Sequence, residues 1–256
     1  PMSMPIPMPS QQSQRRSPRF LSLVRTGFLV GLAVVLAGCA ECTQAILAKG
    51  DLSNIRPPHG DWRAAGDVRL KAGDPTKFEI VDGTGVVVNG ESGGTVNILT
   101  TAEYGDLSVQ YEYMVTKGSN SGVYFMGRYE VQIFDSHGVT DPKFSDNGGI
   151  YQRWEGDRGF EGAAPRVNAS KPPGEWQRVD VVFRAPRFDK AGVKVENARF
   201  KKISLNGVLI HENVEVSGPT RSAYYQDEQP GGPLMAQGDH GPVAFRNVKI
   251  TPLHLR

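Results

Sequence analysis

Glycine and proline punctuate this chain more densely than a helical fold tolerates well. Thirty glycines and eighteen prolines among 256 residues make roughly a fifth of the sequence, against an average of about 12%. In a helix interior a glycine costs about 1 kcal/mol relative to alanine and a proline about 3 kcal/mol, whereas both are suited to turns. The body is therefore expected to consist of strands and turns. Residues 106–115 support this with a clean period of two. Leu107, Val109, Tyr111, Tyr113 and Val115 face one way, and Ser108, Gln110, Glu112 and Met114 the other, as a strand with one core face and one polar face requires.

Further strands are predicted over 78–81, 85–88, 95–100, 122–125, 129–134, 177–183, 200–205, 208–213, 232–236 and 243–250. Asn206-Gly207 lies between two of these runs and signals a two-residue hairpin, because both turn positions need positive φ. No amphipathic helix of twelve residues is evident beyond the N-terminal region. Ten or more strands within about 190 residues imply two packed antiparallel sheets, an all-β sandwich or jelly roll.

The first 38 residues read differently. They hold Arg15, Arg16, Arg19 and Arg25, no acidic residue, and an uncharged stretch over 26–40. A basic segment followed by a short apolar run is the pattern of a signal peptide, and the run is too short for the ~20 residues that span a bilayer. It closes with Leu36-Ala37-Gly38-Cys39, which resembles the bacterial lipoprotein box and implies lipidation at Cys39. Ala40 stands where inner-membrane retention would need Asp, so an exported lipoprotein of the cell envelope, held on the outer membrane, is expected. Arg15-Arg16 is followed by Ser17-Pro18, which argues against twin-arginine export. Cys39 and Cys42 are too close to staple distant parts of a fold, so no disulfide framework is expected.

The expected organisation is a lipoprotein signal peptide over 1–38, a lipid-anchored tether over 39–61 and the jelly-roll domain over 62–256. Removing four arginines from 29 basic residues leaves 25 against 27 acidic ones, turning a net charge of +2 into −2. Basic pairs such as Lys201-Lys202 lack interleaved aromatics, so nucleic acid is not an expected partner.

Two polar constellations could carry chemistry. In the first, Asn120 precedes a strand on which Arg128, Glu130 and Gln132 share one face while Tyr129, Val131 and Ile133 share the other; Asp135 follows. The second is Gln237-Gly238-Asp239-His240-Gly241, where a strand runs into a turn holding an acid and an imidazole. His137 sits in a loop that could share its rim. The long irregular stretch over 136–174 carries Tyr151, Arg153 and Trp154, residue types that line sugar sites, and a loop of that length is usually functional.

The Asn-Ser-Gly run leading to Glu130-Val131-Gln132, the turn Pro172-Pro173-Gly174-Glu175-Trp176, Asn206-Gly207, and Gln237-Gly238-Asp239-His240-Gly241 with Phe245-Arg246-Asn247-Val248 together resemble the 3-keto-disaccharide hydrolase domain family, over about residues 62–253. The resemblance implies a concanavalin-like jelly roll that binds carbohydrate and cleaves 3-keto-glycosides supplied by a partner sugar 3-oxidoreductase. Such chemistry needs a base, a donor polarising the C3 oxygen and an acid for the leaving group; the candidates here are His240 or Glu130 as base, Arg128 and Arg153 as oxyanion donors, and Asp239 or Asp135 as acid or orienter. Asn120, Gln132 and Gln237 would hold hydroxyls, and Tyr151 or Trp154 would stack on the sugar. A divalent cation on Glu130, Asp135 and Asp239 is a further expectation.

Two other readings stand beside this one. A non-catalytic, lectin-like jelly roll would use the same polar face for binding alone. An ordinary glucanase would need Glu-x-Asp-x-x-Glu, with two carboxyl groups about 5–5.5 Å apart for a retaining mechanism. Here the run is Glu130-Val131-Gln132-Ile133-Phe134-Asp135, and Gln132 cannot ionise.

Overall fold

Strand alternation at 107–115 organises the molecule. The computed structural model describes residues 42–256; the predicted signal peptide and Cys39 lie outside the described residues. In chain order the strands are β1 (Gln44–Ile46), β2 (Arg63–Lys71), β3 (Asp74–Val88), β4 (Ile98–Leu99), β5 (Leu107–Val115), β6 (Asn120–Phe125), β7 (Tyr129–Phe134), β8 (Arg153–Glu155), β9 (Arg158–Phe160), β10 (Gln177–Arg184), β11 (Arg187–Phe188), β12 (Lys194–Glu196), β13 (Ala198–Leu205), β14 (Val208–Val216), β15 (Met235–Ala236) and β16 (Val243–Pro252). Helical structure among the described residues is confined to a 3-10 turn at Ala48–Gly50.

The larger sheet runs β14-β13-β10-β5-β16-β3-β2, with β1 added beside β16; the smaller runs β4-β15-β6-β7. Every strand pair is antiparallel. The fold is the all-β, concanavalin-like jelly-roll sandwich expected from the strand count. Tyr111 and Tyr113 of β5, Phe183 of β10, Phe200 of β13 and Phe245 of β16 pack in one core with Val123 and Phe125 of β6 and Tyr129, Val131 and Ile133 of β7. Phe125, Phe183 and Phe200 meet with ring centroids 5.1 to 5.2 Å apart, and each buried phenyl stabilises the sandwich by about 1.5–3 kcal/mol.

Three expectations need correction. The segment over 39–61 is not a tether from Gln44 onward. Its strand β1 pairs with Val248, Lys249 and Ile250 of β16, and Ile46, Leu47 and Ile55 are buried in the main core. Those apolar residues are too irregularly spaced to show a period, yet a sandwich can still bury them between strands. Met114 does not face water. It joins Val68, Phe78, Val86 and Val88 in a second apolar cluster, on the face of β5 opposite Tyr113. The stretch over 136–174 is not wholly irregular, because it contains the β8-β9 hairpin. The Asn206-Gly207 hairpin forms as expected, with φ of 51° and 83° at the two turn residues between β13 and β14.

One consequence of this packing sets up the site. Tyr129, Val131 and Ile133 point into the sandwich, so Glu130 and Gln132 stand on the outer face of the smaller sheet.

Candidate active site

The floor of the site follows from strand register. β6 and β7 pair from Asn120↔Phe134 to Phe125↔Tyr129 without a register shift, which sets Tyr124 opposite Glu130 and Gly122 opposite Gln132. A Cβ at Gly122 would run into the Glu130 carboxyl, so glycine is what lets that side chain lie across the neighbouring strand. From the other side of β6, the Gln237 N–H donates to the Gly122 carbonyl at 2.9 Å. Ser121 Oγ donates to the Gln237 carbonyl at 2.8 Å.

Three loops raise walls on this floor. The segment over 148–151 runs along the open edge of β7: Gln132 N–H donates to Gly149 O, Gly148 N–H to Gln132 O, and Tyr151 N–H to Glu130 O. Ile150 is thereby buried in the core and Tyr151 is delivered to the pocket. The connection from β14 to β15 brings Arg221 and Ser222. The connection from β15 to β16 brings His240. Asn89, fully buried, holds this last loop by donating from Nδ2 to Gly241 O at 3.0 Å and accepting from Val243 N–H at 2.8 Å. The result is a pocket of about 240 Å³ lined by Asn120, Tyr124, Glu130, Gln132, Tyr151, Arg221, Ser222, Gln237 and His240.

Its electrostatics are unusual. Glu130 is only 4% exposed, and burial pushes its carboxyl from an ordinary 4.5 up to about 8; the Tyr124 hydroxyl works against that shift and the Asp239 charge adds to it. Glu130 is therefore a protonated acid at neutral pH. His240 Nδ1 lies 2.7 Å from Asp239 Oδ1, an arrangement that fixes the imidazole and leaves Nε2 free. Two amide oxygens, Asn120 Oδ1 and Gln237 Oε1, are buried with no hydrogen-bond partner. A buried acceptor left unpaired costs about 1–3 kcal/mol, and a ligand hydroxyl would relieve it.

The structure thus gathers Glu130, His240, Asn120, Gln132, Gln237 and Tyr151 in one pocket, with Asp239 behind His240. Gln132 is partly committed, donating to Ser145 O at 3.2 Å. Trp154 does not line the pocket; it is 42% exposed and reaches the site only through Arg221, whose guanidinium lies 4.0 Å from its ring centroid.

Four expected site residues are elsewhere. Arg128 shares the face of Glu130 but its guanidinium donates to Asp227 O, Met126 O and Asp227 Oδ1, so it is not free to polarise a substrate oxygen. Arg153 turns to Ser217 Oγ at 2.5 Å and to Glu161 at 3.7 Å. Asp135 lies just past the end of β7, does not line the pocket, and accepts from Gly118 N–H at 2.9 Å. His137 is exposed outside the pocket.

Consequently Glu130, Asp135 and Asp239 do not converge. Among the described residues no group of three or more His, Cys, Asp or Glu side chains forms a metal-binding cluster. That trio does not fit a divalent cation.

Sequence reasoning missed Tyr124, Arg221 and Ser222. Tyr124 was recoverable from register, since it stands directly across from Glu130. Arg221 and Ser222 lie in a connection that carries no periodicity, and no local signal marked them.

The sequence profile of a family described as the 3-keto-alpha-glucoside-1,2-lyase-like domain matches residues 51–251. The chain belongs to this family. Membership makes it a carbohydrate-active protein and bears out the resemblance drawn from the sequence, with a match that starts inside the segment expected to be a tether. No protein of curated function matches the chain by sequence. Among solved structures, a proposed glycosyl hydrolase from Parabacteroides distasonis superposes with a TM-score of 0.54 at 23% identity, covering 78% of this chain and 84% of its own. A second one from the same organism gives a TM-score of 0.53 at 19% identity, covering 83% of this chain and 100% of its own. These two likenesses establish that the chain shares their fold.

Proposed function

We propose that the protein cleaves the glycosidic bond of 3-keto-glycosides by elimination across C1 and C2, followed by addition of water. A ketone at C3 acidifies the C2 proton. His240 Nε2, with its ring fixed by Asp239, removes that proton, and the electron pair passes into the C2–C3 enolate. Arg221, the guanidinium at the pocket rim, stabilises the C3 oxygen as charge develops there. Collapse of the enolate breaks the C1–O bond, and Glu130 gives its proton to the departing oxygen. The resulting enone takes up water to give the free 3-keto-sugar. Asn120 Oδ1 and Gln237 Oε1 accept hydrogen bonds from hydroxyls of the same ring.

The observation that carries this reading is the Glu130 carboxyl, buried to 4% exposure, in one pocket with His240 and its partner Asp239; burial pushes its pKa up. Elimination asks for an acid and a base of this kind and for no carboxylate nucleophile, which suits a site whose lining does not include Asp135. The family description, naming a 1,2-lyase, agrees. An oxidoreductase acting on the C3 alcohol would have to supply the substrate, and lipidation at Cys39 would place the pair in the cell envelope.

The test is incubation of the purified protein with a 3-keto-glucoside and with its unoxidised parent. Release of aglycone from the first alone supports the proposal. Binding of the keto-glucoside without turnover would leave a lectin-like module, and release from the parent would mark an ordinary glycosidase.

A further inference from the structure

Arg128 is buried to 3% exposure, yet it is not among the residues that line the pocket. Its partners all belong to one short arch of chain and the turn beneath it. Nε donates to Asp227 O at 2.6 Å, Nη2 to Asp227 Oδ1 at 2.8 Å and Nη1 to Met126 O at 2.8 Å. The guanidinium carbon sits 4.7 Å from the Tyr225 ring centroid.

The next residue grips the same arch from the opposite face of β7. Tyr129 Oη donates to Glu228 Oε1 at 2.6 Å, and Lys194 pairs with Glu228 while donating to Ser217 O at 2.7 Å. The arch is also sewn to the backbone around Glu130. Thr220 N–H and Oγ1 donate to Arg128 O at 2.9 and 3.0 Å, Thr220 Oγ1 accepts from Glu130 N–H at 3.1 Å, and Tyr224 N–H donates to Gly127 O at 3.0 Å.

Between these feet the chain carries Arg221 and Ser222, both lining the pocket. Ser222 is held at φ 61°, a left-handed conformation that a non-glycine residue keeps only when its surroundings impose it. Arg221 is fixed at its backbone by donation to Gln152 O at 2.8 Å and at its guanidinium by the Trp154 ring.

We propose that Arg128 is a positioning residue: by clamping Asp227 and Tyr225 it sets the arch over 217–230 so that Arg221 and Ser222 stand over Glu130. A planar guanidinium reaches three acceptors at once, which a lysine ammonium in the same place does not match. Misplacing a reacting group by an ångström can lower turnover by about 100-fold, so a residue that never touches substrate still governs rate. The kinetic arm of the test rests on the proposed cleavage.

The experiment is a double-substitution cycle with Arg128→Met and Arg221→Ala. The cycle is read on kcat and KM for the 3-keto-glucoside; separately, wild type and Arg128→Met, which both keep Arg221, are compared by the rate at which trypsin cuts after Arg221. Arg128→Met should lower kcat/KM by about 10- to 100-fold and Arg221→Ala by at least as much. The double variant should be no worse than Arg221→Ala within about twofold, because two residues acting through one group are not additive. Arg128→Lys should recover part of the loss, and cleavage after Arg221 should quicken about tenfold or more in Arg128→Met. Losses that multiply in the double variant, or unchanged cleavage after Arg221, overturn the proposal. Should Arg128→Met fail to fold, Asp227→Ala removes one of the same contacts from the exposed side, and the same pattern at smaller size is required of it. If the wild-type protein does not turn over the keto-glucoside, the cleavage reading falls, while the tryptic arm still decides the clamp.

Discussion

Two acidic side chains are buried among the described residues, and they are treated in opposite ways. Asp106, 8% exposed, accepts four hydrogen bonds: from Ala185 N–H, from both Arg187 Nη groups and from Leu255 N–H, all at 2.7 to 2.9 Å. Burial pushes its pKa up, but the Arg187 guanidinium and the two N–H groups outweigh that and hold it below 3.8. Glu130, 4% exposed, has no such set of donors, and burial prevails, pushing it up to about 8. The first is a lock that ties the C-terminal residues to the sandwich. The second is a carboxyl that the fold buries without a cationic partner, and groups with pKa values shifted in this way cluster at functional sites.

The sharpest way to break the comparison is Glu130→Gln. It should lower turnover of the keto-glucoside by about 10²–10⁴ and leave thermal stability at pH 7 unchanged or higher, since a neutral amide replaces a neutral acid. A fall in stability with turnover intact would show that Glu130 is structural after all. Asp106→Ala should do the reverse. Breaking a buried ion pair costs about 3–5 kcal/mol, and the lower end applies because Arg187 keeps some contact with water. Urea unfolding should report that loss, with turnover per folded molecule unchanged.

Titration separates the pair by sign. Between pH 4.5 and about 8 an unfolded Glu130 is ionised while the folded one still holds its proton, so its contribution to stability falls as pH rises through that window and is level above it. Unfolding curves of the wild type and Glu130→Gln should diverge over that window. Asp106 contributes stability that is complete above pH 3.8 and is lost as pH falls through its lowered folded pKa, so wild type and Asp106→Asn should converge in acid. Turnover should drop about tenfold per pH unit above pH 8 as Glu130 loses the proton it donates. An alkaline limb absent from the pH–rate profile would remove Glu130 from the acid's role.

The smallest effect is expected at Gln237, whose side-chain oxygen is buried and unpaired. Gln237→Leu should stabilise the free protein slightly and raise KM about 5- to 10-fold, the size of one hydrogen bond of about 1 kcal/mol. An unchanged KM would mean that the sugar does not reach this acceptor.

Much of the sandwich is legible along the chain itself. The period of two along 107–115 marks β5 and its core face, Asn206-Gly207 marks the β13-β14 hairpin, and alternation at 128–133 puts Glu130 and Gln132 on one face. These features are local, because a strand's side-chain direction depends only on parity and a tight turn only on its two central residues. The same parity places Arg128 with Glu130 and says nothing about what else reaches Arg128. Its commitment to Asp227, ninety-nine residues away in sequence, is a property of the arch folding back.

The sequence alone determined the sheet-forming pattern, the faces of the strands and the family to which they belong, because each is written in residues near one another along the chain. Only the tertiary structure decided which polar groups found partners. Burial and hydrogen bonding belong to whatever distant segments come together, and that is why Asp106 became a lock, Arg128 a clamp and Glu130 a carboxyl held above its ordinary pKa.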